Sequence, residues 1–330
     1  MKKKLAILTT MFALFVSSVS YSQDDITEFL EFGQHNASQL VRSYVDPLGH
    51  SLGNNMNSGW YNTGQAHRLG RFDFRFGIPV TFVSEDRRTF VFDPNDYEGL
   101  SLVDPSDNKA PTIFGSKGDG PLVEYEGAEI NLPPGTGIGY FPIIPPTLQL
   151  NVGLIRETEI MIRYVPTVSV RDFSTGMYGF GVKHGIKQYI PFIKHIPFDL
   201  SIIGSYGNMS VAYGLEYDPL NNPDIDIDEQ ELDISATAYS VNLVASKKLP
   251  FITFYGGLRY MYSDTRFVMA GDYDVGTEVI TDPVDFNMTS SQFGLNAGTR
   301  VKLGFLSLFV DGTWSKYSSI TGGISLGFHN

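Results

Sequence analysis

His35, His50, His67, His184, His195 and His329 are the histidines, and none stands in a spacing that builds a zinc site. A metalloprotease helix needs two histidines four apart around a glutamate, and that pattern does not occur. With no cysteine in 330 residues there is no thiolate nucleophile, disulfide framework or iron–sulfur site. Gly135, Gly137 and Gly139 miss the phosphate-loop spacing and follow Pro133-Pro134. The expectation is therefore no enzymatic activity and no cofactor. Asp224, Asp226 and Asp228 have the carboxylate spacing that opens an EF-hand loop, but Glu229 occupies the place of its sixth-position glycine. A solvated acidic loop is one reading, and a weak Ca²⁺ site that stiffens the loop or bridges to lipopolysaccharide is the other.

The charges with the clearest placement are Arg71, Asp73, Arg75, Arg163, Arg259 and Arg300. Each falls on the polar row of an alternating stretch. From Phe72 to Phe82 every second residue is apolar, while Arg71, Asp73, Arg75, Gly77 and Thr81 take the other face. Ile160, Ile162 and Tyr164 alternate with Met161 and Arg163, and Leu306, Leu308 and Val310 with Ser307 and Asp311. One reading of the arginines is an ion-pair lattice with Asp73 and Asp311 that fills a narrow lumen. The sharper reading is an anion-selective patch that meets a carboxylate or phosphate. Trp60 and Tyr61, with inward Tyr255 and Met261, could line an apolar pocket or serve as aromatic rim anchors.

These residues need elements to hold them, and composition narrows the choice. The chain has 24 Lys+Arg against 36 Asp+Glu, a formal charge of −12, and is rich in Gly (34), Phe (24) and Tyr (18). Such an acidic chain is a poor nucleic-acid binder. Lys2 to Lys4, the apolar run from Leu5 to Val19 and Ser20-Tyr21-Ser22 read as a signal peptide over residues 1–22, cleaved near Ser22. No later apolar run is long enough for a spanning helix. Long strands, apolar and aromatic on one side and polar and Gly-rich on the other, fit an all-β, antiparallel transmembrane barrel facing lipid outside and a polar lumen inside. Residues 69–330 are assigned to it, giving an outer-membrane location in a Gram-negative bacterium, with membrane lipid as partner. Strands are expected near 69–83, 88–104, 112–126, 145–156, 159–171, 177–192, 197–216, 232–247, 250–265, 288–302, 304–315 and 318–328, about twelve in all with ten to fourteen open. The strand at 197–216 changes phase around Gly207-Asn208, which reads as a bulge or a turn. Gly185 to Ile196 could instead be a short amphipathic segment at the periplasmic rim.

Residues 23–68 differ. Asp25 and Glu28 have capping-box spacing, and Ile26, Phe29, Leu30, Gly33, Ala37, Leu40, Val41 and Tyr44 form a helical stripe that Pro47 and Gly49 should end. The amphipathic helix is either a plug inserted in the lumen or a helix resting on the periplasmic rim. Residues 110–146, with Pro111, Pro133, Pro134, Pro142, Pro145 and Pro146, form an irregular insertion that folds into the barrel or caps it.

The runs Asn57-Ser58-Gly59-Trp60-Tyr61-Asn62-Thr63 and Pro111-Thr112-Ile113-Phe114-Gly115, and above all Gly179 to Phe192 continuing through Ile196-Pro197-Phe198-Asp199-Leu200-Ser201, resemble a Bacteroidota outer-membrane barrel family of unknown function. More distantly, the plan of plug then barrel is similar to the FadL-type transporters of long-chain fatty acids and hydrocarbons. The Asn-Pro-Ala signature of that family is replaced here by Asn57-Ser58-Gly59. The resemblance implies passive or gated uptake of small hydrophobic or amphipathic compounds. A non-conducting accessory barrel in a larger envelope protein complex is the competing expectation. An open apolar pocket in the lumen would discriminate between them.

Overall fold

The computed structural model describes residues 27–141, 146–170, 173–193, 195–215, 230–274 and 279–327. Its main element is a closed antiparallel barrel of ten strands. In chain order these are β1 (Phe72–Phe82), β2 (Thr147–Gly153), β3 (Thr158–Val170), β4 (Phe173–Gly185), β5 (Asp199–Gly214), β6 (Glu231–Lys248), β7 (Ile252–Ala270), β8 (Val284–Leu303), β9 (Leu306–Trp314) and β10 (Ser319–Gly327). Each pairs with the next, and β10 returns to β1 with a register running from Asp73↔Gly327 to Thr81↔Ser319. Tyr140 and Phe141 prolong β2 along the upper end of β1.

The expected barrel strands at 88–104 and 112–126 are corrected. Pro94, Gly99, Gly115, Gly120 and Pro121 break those stretches, and the longest strand within them is Leu122–Tyr125. A spanning strand needs about 9–11 residues, so none of these pieces can cross. They build small sheets of their own in a cap from 83 to 141. The phase change expected near Gly207 is also absent. β5 pairs without a slip from Asp199 to Gly214, and the register shift lies in β4 between Thr175 and Met177. After Gly185 the expected strand gives way to a 3₁₀ turn, Lys187–Tyr189.

Alternation sorts the wall as period 2 requires. Phe74, Phe180, Leu258, Phe293 and Val310 point outward, Phe293 being 79% exposed, while Arg75, Lys183, Arg259, Asn296 and Asp311 are buried inside. Arg75, Arg163, Lys183, Arg259 and Asp311 sit on the inner rows of the wall, while Arg266 and Asp285 form an exposed pair on its outward rows toward the cap end. Both ends of the barrel chain lie at the end carrying the links 154–157, 186–198, 249–251 and 304–305; the opposite end carries the cap and the links 171–172, 215–230, 271–283 and 315–318.

A 3₁₀ turn (Phe29–Phe32) leads into helix α1, Gly33–Asn57. Asp25 lies outside the described residues. Pro47 and Gly49 do not end the helix. The turn loosened by Pro47 has its Tyr44 carbonyl bonded by the cap's Ile113 N–H at 3.0 Å. Gly49 and Gly53 face the barrel wall: a Cβ on Gly49 would stand 2.8 Å from Met288 and one on Gly53 would overlap Ser263. Phe32 of the turn and Leu40, Val41 and Tyr44 of the upper half of α1 share one core cluster with Phe92, Ala110, Phe114 and Val123 of the cap. Asn36 and Glu98 exchange two bonds of 2.8 Å. His50, bonded to Asp46 at 3.3 Å, stacks on Tyr317 of the β9–β10 turn, where burial and then Asp46 push the phenol pKa up to about 12. The lower half, Ser51 to Asn57, is buried on every side and bonds the wall through Asn54 to Thr81 and Asn57 to the Tyr262 carbonyl. The helix thus lies inside the barrel, entering from the cap end.

That close approach predicts a steric test. Gly53→Val should destabilise the detergent-solubilised barrel by about 1–3 kcal/mol, read as a lower midpoint in thermal or denaturant unfolding. Ser263→Gly in the same chain should recover most of the loss.

Candidate functional site in the barrel lumen

A helix ends with four carbonyls that lack intrahelical partners. Here all four are taken. Ser58 donates its N–H to Asn55 O at 3.1 Å and its hydroxyl to Asn54 O at 2.8 Å. Met56 O receives Trp60 Nε1 at 3.0 Å and Arg163 NH1 at 3.1 Å, and Asn57 O receives Arg259 NH2. Two guanidinium groups therefore sit at the negative end of the helix dipole, where cations are stabilised.

The chain then runs down the lumen as Ser58 to Ala66. Arg163 also donates to Ser58 O at 3.0 Å and to Gln149 Oε1 at 3.0 Å, and its guanidinium lies over the Trp60 ring at 4.0 Å. A desolvated cation–π contact of this kind is worth about 2 kcal/mol. Arg75 donates to Trp60 O at 2.9 Å and to Asn62 Oδ1 at 3.2 Å, and Arg300 reaches the same Oδ1 at 3.3 Å. Near the short-turn end, Glu159 accepts from His67 N–H at 2.9 Å and from Lys183 at 3.0 Å, with His67 Nδ1 2.7 Å away.

The structure brings Trp60, Tyr61, Asp73, Arg75, Arg163, Arg259 and Arg300 into this one constellation. Arg71 stands just before β1, half-buried, with its carbonyl bonded by Gly153. Of the two acids expected to pair with the arginines, Asp73 is 3.9 Å from Arg75 and is held by Asn151 at 2.7 Å. Asp311 is bonded by Tyr255 at 3.0 Å and Asn296 at 2.8 Å instead. Trp60 and Tyr61 are enclosed with Met161, Ile203, Val244 and Tyr255 as a packed cluster, and Met261 is buried nearby. Asp224, Asp226 and Asp228 lie outside the described residues. Among those described, no three His, Asp or Glu side chains converge to hold a metal ion.

Sequence reasoning missed Asn62, Gln149, Glu159, Lys183 and His67. Glu159 and Lys183 fall on the inward rows of β3 and β4, so alternation alone carried their signal. Below them a polar cavity of about 510 Å³ opens at the short-turn end, lined by Gln65, Arg68, Glu157, Lys187 and Asp199 among others.

The family DUF6588, described as a family of unknown function, matches residues 1–328. No curated protein matches. Among solved structures, the translocator domain of the autotransporter NalP from Neisseria meningitidis is similar at 11% identity and a TM-score of 0.33, covering 89% of this chain and 98% of that one. The attachment invasion locus protein Ail of Yersinia pestis gives 7% and 0.28, covering 79% and 99%. The Ralstonia pickettii toluene transporter TbuX gives 7% and 0.23, covering 84% and 93%. At such similarity only the chain's own geometry can carry a functional reading.

Proposed function

The chain belongs to the DUF6588 family, whose function is unknown, and we propose that it is an outer-membrane barrel with a sealed lumen, a non-conducting accessory subunit of an envelope assembly. In this reading the chain is exported with a signal peptide cleaved near Ser22. Its apolar outer wall faces lipid, its short-turn end faces the periplasm and its cap faces outward. The observation that carries the proposal is the way the helix is fastened. Every terminal carbonyl of α1 is bonded, two of them by wall arginines, and Trp60 is held 1% exposed beneath them. Helix α1 acts as a fixed plug. Uptake of small hydrophobic compounds would call for an open apolar pocket, whereas the residues expected to line one are packed against each other.

Two measurements test this. Fractionation should recover the protein in the outer membrane, with heat-modifiable gel migration; a soluble periplasmic protein would overturn the barrel reading. The purified native protein should give no channel events in planar bilayers and should co-purify with envelope proteins in mild detergent. Steady conductance, or saturable uptake of a hydrocarbon or fatty acid into vesicles, would overturn the sealed-lumen reading.

A further inference from the structure

Across the inner faces of β8, β9, β10 and β1 runs a patch whose hydrogen-bond donors outnumber its acceptors. Arg75 and Ser325 are register partners, as are Ser325 and Ser307, while Arg300 lies one strand further on. All four are buried, and Asn62 joins them from the segment threaded through the lumen. Arg75 Nε, Arg300 Nε, Asn62 Nδ2, Ser307 Oγ and Ser325 Oγ are enclosed without any protein partner. The one matching acceptor beside them is Asp73 Oδ2, which faces the NH2 of Arg75 at 3.9 Å and not its Nε. Buried polar groups in folded proteins are almost always bonded, to protein, to water or to an ion.

Charge sharpens the choice. Arg75, Arg163, Arg259, Arg300 and Lys183 are all buried in the described lumen, against Asp73, Glu159 and Asp311. Arg163 and Arg259 are compensated by the carbonyls at the end of the helix. Arg300 makes one long bond to Asn62, and no carboxylate among the described residues stands within ion-pair distance of it. An uncompensated buried guanidinium is costly. We infer that the wall between Asn62, Arg75 and Arg300 binds a small inorganic anion, for which bromide serves as the probe. Arg75 uses one N–H of each terminal nitrogen on Trp60 O and Asn62 Oδ1, and its Nε–H is left unbonded. The Ser307 and Ser325 hydroxyls are further unpartnered donors on the same wall, free to rotate. This site goes beyond the sealed-lumen reading and does not depend on it, because the patch is closed whether or not the barrel conducts.

The experiment uses the full-length protein in detergent at constant ionic strength, exchanging gluconate for bromide. The unfolding temperature should rise saturably with bromide, and crystals grown in bromide should give an anomalous peak beside Arg300 Nε. Ser307→Ala with Ser325→Ala should weaken the apparent bromide affinity about tenfold, as the loss of weak neutral donors implies, while the protein stays folded in gluconate. Arg300→Gln, where folded, should lose the response altogether; if it does not fold, the serine variant carries the test. Equal unfolding temperatures in bromide and gluconate, or a bromide effect unchanged in the serine variant, would overturn the assignment and leave the patch hydrated by water only.

Discussion

Deleting residues 27–64 should convert a silent barrel into a conducting one. The deletion removes α1 together with Trp60, Asn62 and the main-chain carbonyls that the lumen arginines bind. What remains is a ten-strand wall whose inward rows carry Arg75, Arg163, Arg259 and Arg300 around an unfilled interior. Eight strands leave an interior that side chains alone fill, so a ten-strand wall emptied of its helix leaves a narrow water path, and these guanidiniums should make it anion-selective. Planar-bilayer recordings should pass from no resolved events to frequent ones, with a reversal potential shifted toward that of chloride in a salt gradient. Heat-modifiable migration of the deleted protein shows that the wall has formed. An assembled deletion variant that stays silent would place the seal elsewhere, in the cap.

The largest single-residue loss is expected at Arg163. Replacing it with Met keeps much of the volume but removes the bonds to Met56 O, Ser58 O and Gln149 and the stack on Trp60. Leaving the buried Ser58 O and Gln149 Oε1 without this donor costs about 1–3 kcal/mol each, and loss of the ring contact adds to it, for about 3–5 kcal/mol together. Denaturant unfolding in detergent should show a loss of that size. Arg163→Lys should recover little of it, because a point ammonium cannot span two carbonyls, an amide and a ring face together. A loss within experimental scatter for Arg163→Met would mean that the helix end is held by Arg259 and Ser58 alone.

The wall was legible in the sequence because its signal is strictly local. From Phe72 to Phe82 the alternation states both the strand and which side each residue faces, and the same holds around Arg163 and Asp311. The lumen contents were not legible for a different reason. Asp73 and Asp311 were the visible counter-charges, yet Arg163 and Arg259 bond carbonyls of Met56, Asn57 and Ser58. Every residue carries such a carbonyl, so residue type says nothing about which ones a helix end leaves free. Pro47 and Gly49 misled in a related way. Both usually stop helices, but here the cap supplies a donor to the loosened turn, and Gly49 and Gly53 are needed where the wall comes close. The cap itself was hidden because short strands between Pro94 and Pro121 still alternate, and only their breakers reveal that none can span.

The direction in which α1 enters constrains how the molecule is built. Its first turn lies under the cap at one mouth, while the segment after it leaves by the opposite mouth and turns straight into β1. The chain therefore traverses the lumen once before it contributes its first strand. A finished cylinder could not admit the helix without hauling the upstream chain through a passage already crowded by large side chains. The order of events that avoids this is a curled, open sheet gathering around the helix, with the pairing of Asp73 through Thr81 onto Ser319 through Gly327 as the last seam to be sewn. The interior segment is then a mandrel for closure. Its fit to the wall sets the circumference, and sequence changes that loosen Trp60 or Asn62 would be felt first as slow or misregistered assembly, before any effect on the finished barrel.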